Sequence, residues 1–555
     1  MAKMIKVSFR NLVTLEVEEN TRVIEIAKMC QKYFNYPIML AKVDNDIVGL
    51  DYELTKKCDI DFYDRSSYQG NDVYSNSAYM IMILAIKRVL GANVDVDISN
   101  SIDNGVYCEI LNYELDREAV AKIKAEMDEI VKEDLIFTPL NVRRTDAMKY
   151  YKKIKTMDKV KLLKYTSNSY ITLYRLDDYY DYFFSKLAYS SKDIDTYKLT
   201  YIKNNTFVIS TPSIEHPDEV LPFKNIPKIM NTFTSSEEFG KKININNAAD
   251  LNEIVSNGNT KYAIRMAELN YENELMSLAD EIYKRKDSIK VVLLAGPSSS
   301  GKTTSAKKLS LYLETKGFHT ITLSTDDYFL DRSETPVDEN GEFDFESIYA
   351  IDLKLFNSHL SKLLKGEKVL LPEYNFIEGK KEYKKNYVKL EENDILVIEG
   401  LHSLNEELTS SVDRKNKFKI FIAPFTQLNI DYHNRIHTSD TRRLRRIVRD
   451  NRTRGRNAAD TLRMWSNIRK GEFKWIYPYQ NDADGVINSA LIYELAVLKI
   501  YVEPLLYSVS EDDEMYGEAI RLINVLRNIL PIPSDYVPQD SVLREFIGGS
   551  GFYDI

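Results

Sequence analysis

The sequence predicts a multidomain α/β and α+β protein in which two small amino-terminal regions precede an α/β sandwich built on a parallel sheet. Three observations lead there. A chain of 555 residues is too long for one hydrophobic core. The runs "IKVVLLAG", "HTITLS", "DILVIEG" and "KIFIAP" are short, continuous and β-branched, as expected of strands buried on both faces. Segments of helical period separate them, which is the order of a layered α/β architecture.

Residues 1–65 come first. "IKVSFRNLVTLEV" alternates at strand period around a turn at Arg10-Asn11, and Val23, Ile26, Ala27 and Cys30 have helical spacing. Short strands around Leu40–Val43 and Ile60–Tyr63 complete an order that suits a β-grasp fold. Residues 66–210 read as α+β: a helix through "AYMIMILAIKRVL", strands at "VDVDI" and "GVYCEIL", a helix from Asp116 to Lys132 and a mixed stretch to Val208. Pro212, Pro217, Pro222 and Pro227 then mark residues 211–287 as connector rather than core, followed by two helical stretches. The α/β sandwich occupies residues 288–510. Residues 511–555 supply a last helix and the glycine-rich tail "FIGGSGFYDI", read as mobile or as docking near the site.

Composition excludes several classes. The longest strongly apolar stretch, Ala78–Ile86, is far short of the roughly 20 residues that cross a bilayer. The start "MAKMIKVSFR" lacks the apolar core of a signal peptide, so a cytoplasmic location is expected. Cys30, Cys58 and Cys108 are odd in number and far apart, which supports neither a disulfide framework nor a cysteine zinc site. A net charge of -9 argues against general polyanion binding by the whole chain but leaves room for a local basic patch.

Chemistry concentrates after the first parallel strand. Gly296-Pro297-Ser298-Ser299-Ser300-Gly301-Lys302-Thr303 fits G-x-x-x-x-G-K-[ST], and Thr304 continues it into helix-forming sequence. The glycines let backbone N–H groups and the helix's positive end surround a phosphate. Lys302 adds charge toward the β- and γ-phosphates of ATP, and the Thr303 hydroxyl is placed for Mg²⁺. No [NT]KxD guanine reader is present, which removes support for GTP. Glu399 ends the strand "DILVIEG", and Asp326 and Asp327 end "HTITLSTDD", where an open α/β sheet places its ligand crevice.

"DTRRLRRIVRDNRTRGR", Asp440 to Arg456, is the basic patch. Leu444, Ile447 and Val448 form an apolar stripe, while Arg445, Arg449, Arg452 and Arg456 line another face of one amphipathic helix. It suits a solvated basic face, a nucleic-acid face, or a lid that closes arginines over a triphosphate and excludes water; a phosphoryl-transfer domain favours the third.

These pieces, with "LPEYNF", "VIEGLHSL" and, more weakly, "NDADGVIN", stand in the order of the uridine kinase and phosphoribulokinase group of P-loop kinases, which residues 288–510 resemble. The resemblance implies ATP and Mg²⁺ as cofactors and a small-molecule nucleoside or sugar acceptor. Asp326 takes the place of the aspartate that accepts the substrate hydroxyl proton, and Glu399 that of the acidic metal ligand beside Thr303. Tyr328, Tyr374 and Arg442 fall on the acceptor side. Arg446, Arg449, Arg454 and Arg456 fall in the lid, Arg446 acting on the transferring phosphate. Asn375 stands where uridine kinases have aspartate and Gly379 where they usually have histidine, and His402 in "EGLH" is phosphoribulokinase-like, so a sugar phosphate stays open as acceptor.

The first two regions resemble the TGS and editing domains of threonyl-tRNA synthetase. Asn76 and Met80 replace the HxxxH pair of that editing site, and Phe183 and Leu187 replace its CxxxH pair. Such residues neither bind metal nor move protons, so hydrolytic editing is not expected. RNA contact through these modules and homo-oligomer formation are left open, as is a rival reading of the whole chain as a nucleotide-regulated RNA-binding sensor.

Overall fold

The computed structural model describes residues 3–552 apart from 11, 338–340, 342, 376, 377 and 427. The expected turn residue Asn11, the Phe376 of "LPEYNF" and the last three residues of the tail therefore lie outside the described residues.

In the first region, Met4–Phe9 pairs antiparallel with Val13–Glu18 and parallel with Cys58–Asp64. A parallel pair needs a crossover, and the helix Val23–Cys30 lies in it, burying Val23, Ile26, Ala27 and Cys30 in the core that also holds Phe9 and Phe62. Ile38–Val43 and Asp46–Val48 extend the sheet to five strands. Cys30, Cys58 and Cys108 are all buried and free.

The second region is organised on the helix Tyr68–Leu90, whose stretch Ala78–Ile86 is buried on every side. A four-stranded antiparallel sheet contains Val96–Ile102, Gly105–Ile110, Thr206–Ser210 and Lys198–Lys203. What reads in sequence as a mixed stretch is a second, three-stranded sheet of Thr138–Arg143, Tyr170–Leu176 and Tyr179–Tyr182, with the helices Arg144–Lys153 and Met157–Lys164 between its first two strands. Met80, Phe183 and Leu187 are buried in one core, and Ser77 Oγ accepts from the Ala188 N–H at 2.8 Å. The two degenerate motif segments thus meet, but as packing.

Residues 211–226 are an irregular, largely exposed stretch, as a connector would be, but from Pro227 onward the segment packs as core, with the two expected helices preceded by a third. Pro227 opens the helix Pro227–Ile243, a first-turn position where its missing N–H costs nothing. Ile229 and Phe233 of that helix are buried, Phe233 against Phe425 at 5.0 Å between ring centroids. The helix Thr260–Lys284 likewise buries Ala263, Ile264, Tyr271 and Leu275 in the same core as Val292 and Leu294. Beyond Pro227, apolar residues three and four apart decide the segment.

The parallel sheet has the order His319–Ser324, Asp394–Gly400, Val291–Ala295, Lys417–Ala423, Gly485–Asn488. Strand Val291–Ala295 sits at its centre, and Ser324 is in register with Glu399 while Ala295 is in register with Gly400. Three strand ends therefore lie together at the edge where an open α/β sheet places its ligand crevice. The helix Tyr516–Leu526 and the short helix Arg544–Ile547 close the core from the carboxyl-terminal part of the chain. Among the described residues no helix is long and apolar enough to cross a membrane.

Candidate active site

The loop after Val291–Ala295 is shaped by its backbone. Gly301 has φ +83° and caps the helix Lys302–Thr315, a left-handed position that favours glycine. Ser299, not a glycine, also holds a positive φ of 60°. Such strain gathers where a loop must present its groups to a ligand. The hydroxyls of Ser299 and Ser300 are buried without a hydrogen-bond partner among the described residues. Unpaired donors at a helix N-terminus are what an anion satisfies, so the loop fits a phosphate group.

Lys302 follows directly. Its Nζ donates to the Pro297 carbonyl at 3.3 Å, and burial lowers its pKa against the opposing pull of Glu399, Asp326 and Glu545. Glu399 Oε1 accepts from Thr303 Oγ1 at 3.1 Å and from Ser324 Oγ at 3.0 Å. Burial pushes the Glu399 carboxyl up to about 7, with Asp326 adding to the push and Lys302 opposing it. Asp326 is half-buried in the turn Thr325–Tyr328, where its N–H donates to Ser324 Oγ at 3.3 Å. Among the described residues no group of three or more His, Cys, Asp or Glu side chains could hold a metal ion. Mg²⁺ bound with a nucleotide needs fewer, because one or two side chains and the phosphates suffice. Thr303 and Glu399 fit that donor set.

The arginine run forms the helix Thr438–Arg454, with Arg456 past its end, and the burial of Arg442, Arg443, Arg445 and Arg446 rules out a solvated basic face. Arg445 is fully buried and pairs with Glu494, with Nε to Oε2 at 3.0 Å. Arg442, expected on the acceptor side, is buried against Glu472 and donates from Nε to the Ser298 carbonyl at 2.9 Å. It is turned to the phosphate loop because Glu472 supplies a buried counter-charge there. Arg446 Nη1 donates to Ser298 Oγ at 2.5 Å. Asp450 collects Arg446 at 3.2 Å, Arg449 at 2.8 Å and Arg454 at 3.7 Å. Arg456 instead donates from Nη1 to Met464 Sδ at 3.0 Å.

On the acceptor side, Tyr374 is buried with its ring 5.7 Å from Phe329, and its N–H donates to Asp327 Oδ1 at 3.3 Å. Burial raises the Asp327 carboxyl to about 6. Tyr328 is packed in the core against Phe356, and its hydroxyl meets His359 Nδ1 at 3.2 Å rather than opening to the crevice. Gly379 has φ +71°, and a Cβ there would lie 2.9 Å from Arg332 Nε. The Arg332 side chain thus fills the space beside this position. Asn375 Nδ2 donates to Glu382 Oε1 at 2.9 Å. His402 is buried, which lowers its pKa to about 4 and keeps it neutral.

Four further residues near the site escape sequence reasoning. Glu346 lies near Arg446, Lys302 and Arg442, and burial raises its carboxyl. Glu472 and Asp450 organise the arginines, and Asp450, an acid at the centre of a basic run, is the one whose position could have marked it. Glu545 reaches the phosphate loop from the far end of the chain. An acidic residue with no motif around it leaves no local pattern, so nothing in sequence marks it.

A phosphate loop opening a helix from a central parallel strand, with carboxylates at the ends of adjacent strands, defines a P-loop NTPase fold. Residues 291–495 match the model of the Phosphoribulokinase / Uridine kinase family, well under half of the chain. The chain is 26% identical over 196 residues to the uridine kinase of Halobacterium salinarum, covering 35% of this chain and 77% of that one. The uridine kinase of Deinococcus deserti is 27% identical over 199 residues, 36% of this chain and 86% of its own. The amino-terminal region matches threonine–tRNA ligases: that of Clostridium kluyveri is 30% identical over 180 residues, 32% of this chain and 28% of the ligase. The chain therefore spans under a third of the length of those ligases. A solved structure described as a possible uridine kinase from Bacillus stearothermophilus aligns with 40% of this chain and 99% of its own at 20% identity and a TM-score of 0.29.

Proposed function

We propose that the chain is an ATP-dependent kinase that phosphorylates a hydroxyl of a nucleoside of the uridine or cytidine kind. The observation that carries this is the convergence of Lys302, Thr303, Glu399 and the Asp326 turn at the ends of adjacent parallel strands. The uridine kinases it resembles support the acceptor class.

In this reading the loop 296–303 and the Thr304 N–H hold the phosphates, and Lys302 carries charge to the phosphoryl group being transferred. Thr303 and Glu399 would hold Mg²⁺, which when bound neutralises charge on the phosphate oxygens. Asp326 orients the attacking hydroxyl and takes its proton late. In a loose transition state orientation matters more than basicity, which suits a carboxylate. Arg446, fixed on Ser298, faces the same phosphates, with Arg449 and Arg454 held beside it through Asp450. Tyr374 borders the acceptor.

The test is incubation of the full chain with ATP, Mg²⁺ and a panel of nucleosides and sugar phosphates, with ADP and product read by mass. A phosphorylated nucleoside supports the reading. A phosphorylated sugar phosphate moves the acceptor class, and no product together with salt-sensitive tRNA retention replaces the kinase with an RNA-binding sensor.

A further inference from the structure

The end of the chain returns to the phosphate loop. Glu545, on the last short helix, accepts through Oε2 from the Thr304 N–H at 3.2 Å and from Thr304 Oγ1 at 2.8 Å. Thr304 stands one residue beyond Thr303 at the start of the helix Lys302–Thr315. Lys302 and Thr303 serve the β and γ end of a triphosphate, so the next N–H along the helix serves the phosphate nearer the sugar. Glu545 therefore puts a carboxylate where a nucleotide puts its α-phosphate. It is also among the groups that raise the pKa of Lys302 and of Glu399, so its charge lies within the phosphate site.

The backbone that carries Glu545 is anchored. Val542, Leu543 and Phe546 are fully buried, and Val542 takes up the space that a Cβ on Gly301 would need. Phe546 packs 4.9 Å from the Arg445 guanidinium, and Arg452 donates to the carbonyls of Phe546 and Glu545 at 3.2 and 3.3 Å. Lys307 reaches the Phe552 carbonyl at 2.8 Å and Lys308 reaches Asp540 at 2.8 Å. Release of the whole segment would expose that apolar surface, whereas rotation of the Glu545 side chain exposes none. The moving part is the side chain.

We propose that Glu545 is a built-in competitor of the nucleotide: its carboxylate holds the α-phosphate donors of the loop until the nucleotide displaces it, and so sets nucleotide affinity. A carboxylate at a helix N-terminus is stabilised by the helix dipole and by the N–H groups it satisfies. A phosphate needs the same donors, and two anions on them repel. Occupation by Glu545 protects the loop when no nucleotide is present and weakens binding when one arrives. The inference rests on the reading of residues 296–304 as a nucleotide site.

Calorimetric titration of the full chain with ATP and Mg²⁺ tests it in wild type, Glu545→Gln and Glu545→Asp. Loss of a charge-assisted hydrogen bond from the competing state predicts roughly tenfold tighter ATP binding by Glu545→Gln. Glu545→Asp keeps the charge but shortens the reach, so it also binds ATP more tightly than wild type, which separates contact from net charge. Weaker or unchanged binding by both variants, with circular dichroism like wild type, overturns the proposal and leaves the nucleotide site standing. If wild type and both variants bind no ATP, the nucleotide reading and the competitor fall together.

Discussion

Two buried charge clusters hold opposite kinds of tension. At the junction of the second region with the α/β core, Lys159, Asp181, Asp431 and His433 are at most 1% exposed. Lys159 Nζ lies 2.8 Å from Asp181 and 3.3 Å from Asp431, and His433 Nδ1 lies 2.6 Å from Asp181. Burial works against the charge on Asp181, but Lys159 and His433 outweigh it and hold the carboxyl well below its usual range. Burial likewise works against a charged His433, but Asp181 overcomes it and raises the imidazole to about 9. At the phosphate loop the shifts run the other way: Glu399 up, Lys302 down, Glu346 up and Arg446 down, each led by burial. Groups shifted toward their charged forms have found their partners; groups shifted toward neutrality have lost water without full compensation. The first cluster is a rivet between regions and the second is a site that a charged ligand would complete.

Breaking the rivet should give the largest effect. Asp181→Asn leaves Lys159 buried against one carboxylate instead of two, and removal of one partner from a buried pair costs about 3–5 kcal/mol. The expected outcome is a clear fall in thermal midpoint, while the fraction that stays folded keeps its ATP affinity. An unchanged midpoint would show that the junction contributes no cohesion. The phosphate site should respond in the opposite manner. Lys302→Ala and Asp326→Asn should each lower turnover by roughly 10²-fold or more, by analogy with loss of other preorganised polar contacts, at little cost in midpoint. Near-normal ADP and product formation by either variant would sink the site assignment.

The junction also predicts a pH dependence. A histidine raised from 6.5 to about 9 on folding contributes stability that is fully present below pH 6.5 and is lost as pH rises through about 9. Asp181, Lys159 and Asp95 face it, and the two carboxylates outweigh the lysine. Melting temperature should therefore decline between those values. His433→Gln should be less stable at neutral pH and lack that part of the slope; a variant with the wild-type slope would assign it elsewhere.

The legible parts of the molecule are those with local period or local spacing. The parallel strands and the phosphate loop can be read because buried β-branched runs and G-x-x-x-x-G-K-[ST] are contiguous in the chain. The helix around Arg446 is also legible, but its partners are not, since Glu472, Glu494 and Glu518 come from later segments. Helical period alone suggests arginines turned toward a ligand, whereas much of that charge faces protein carboxylates. Lys159 and His433 are separated by well over two hundred residues, so no spacing rule joins them. Glu545 is hidden for the same reason.

The smallest expected effect sharpens the boundary between core and site. The motif "STDDYFLDR" puts Tyr328 on the acceptor side, whereas its hydroxyl meets His359 at 3.2 Å and its ring packs edge-on to Phe356 at 4.9 Å. Tyr328→Phe keeps the ring and removes one neutral hydrogen bond, which is worth about 1 kcal/mol. The expected result is a small drop in midpoint with kcat and the acceptor KM unchanged. Tyr374, packed beside Phe329 and set next to the acceptor by the proposed function, provides the contrast: Tyr374→Phe should raise the acceptor KM more than it lowers the midpoint. A KM increase for Tyr328→Phe equal to that for Tyr374→Phe would return Tyr328 to the acceptor pocket and show that the turn Thr325–Tyr328 rearranges when substrate binds.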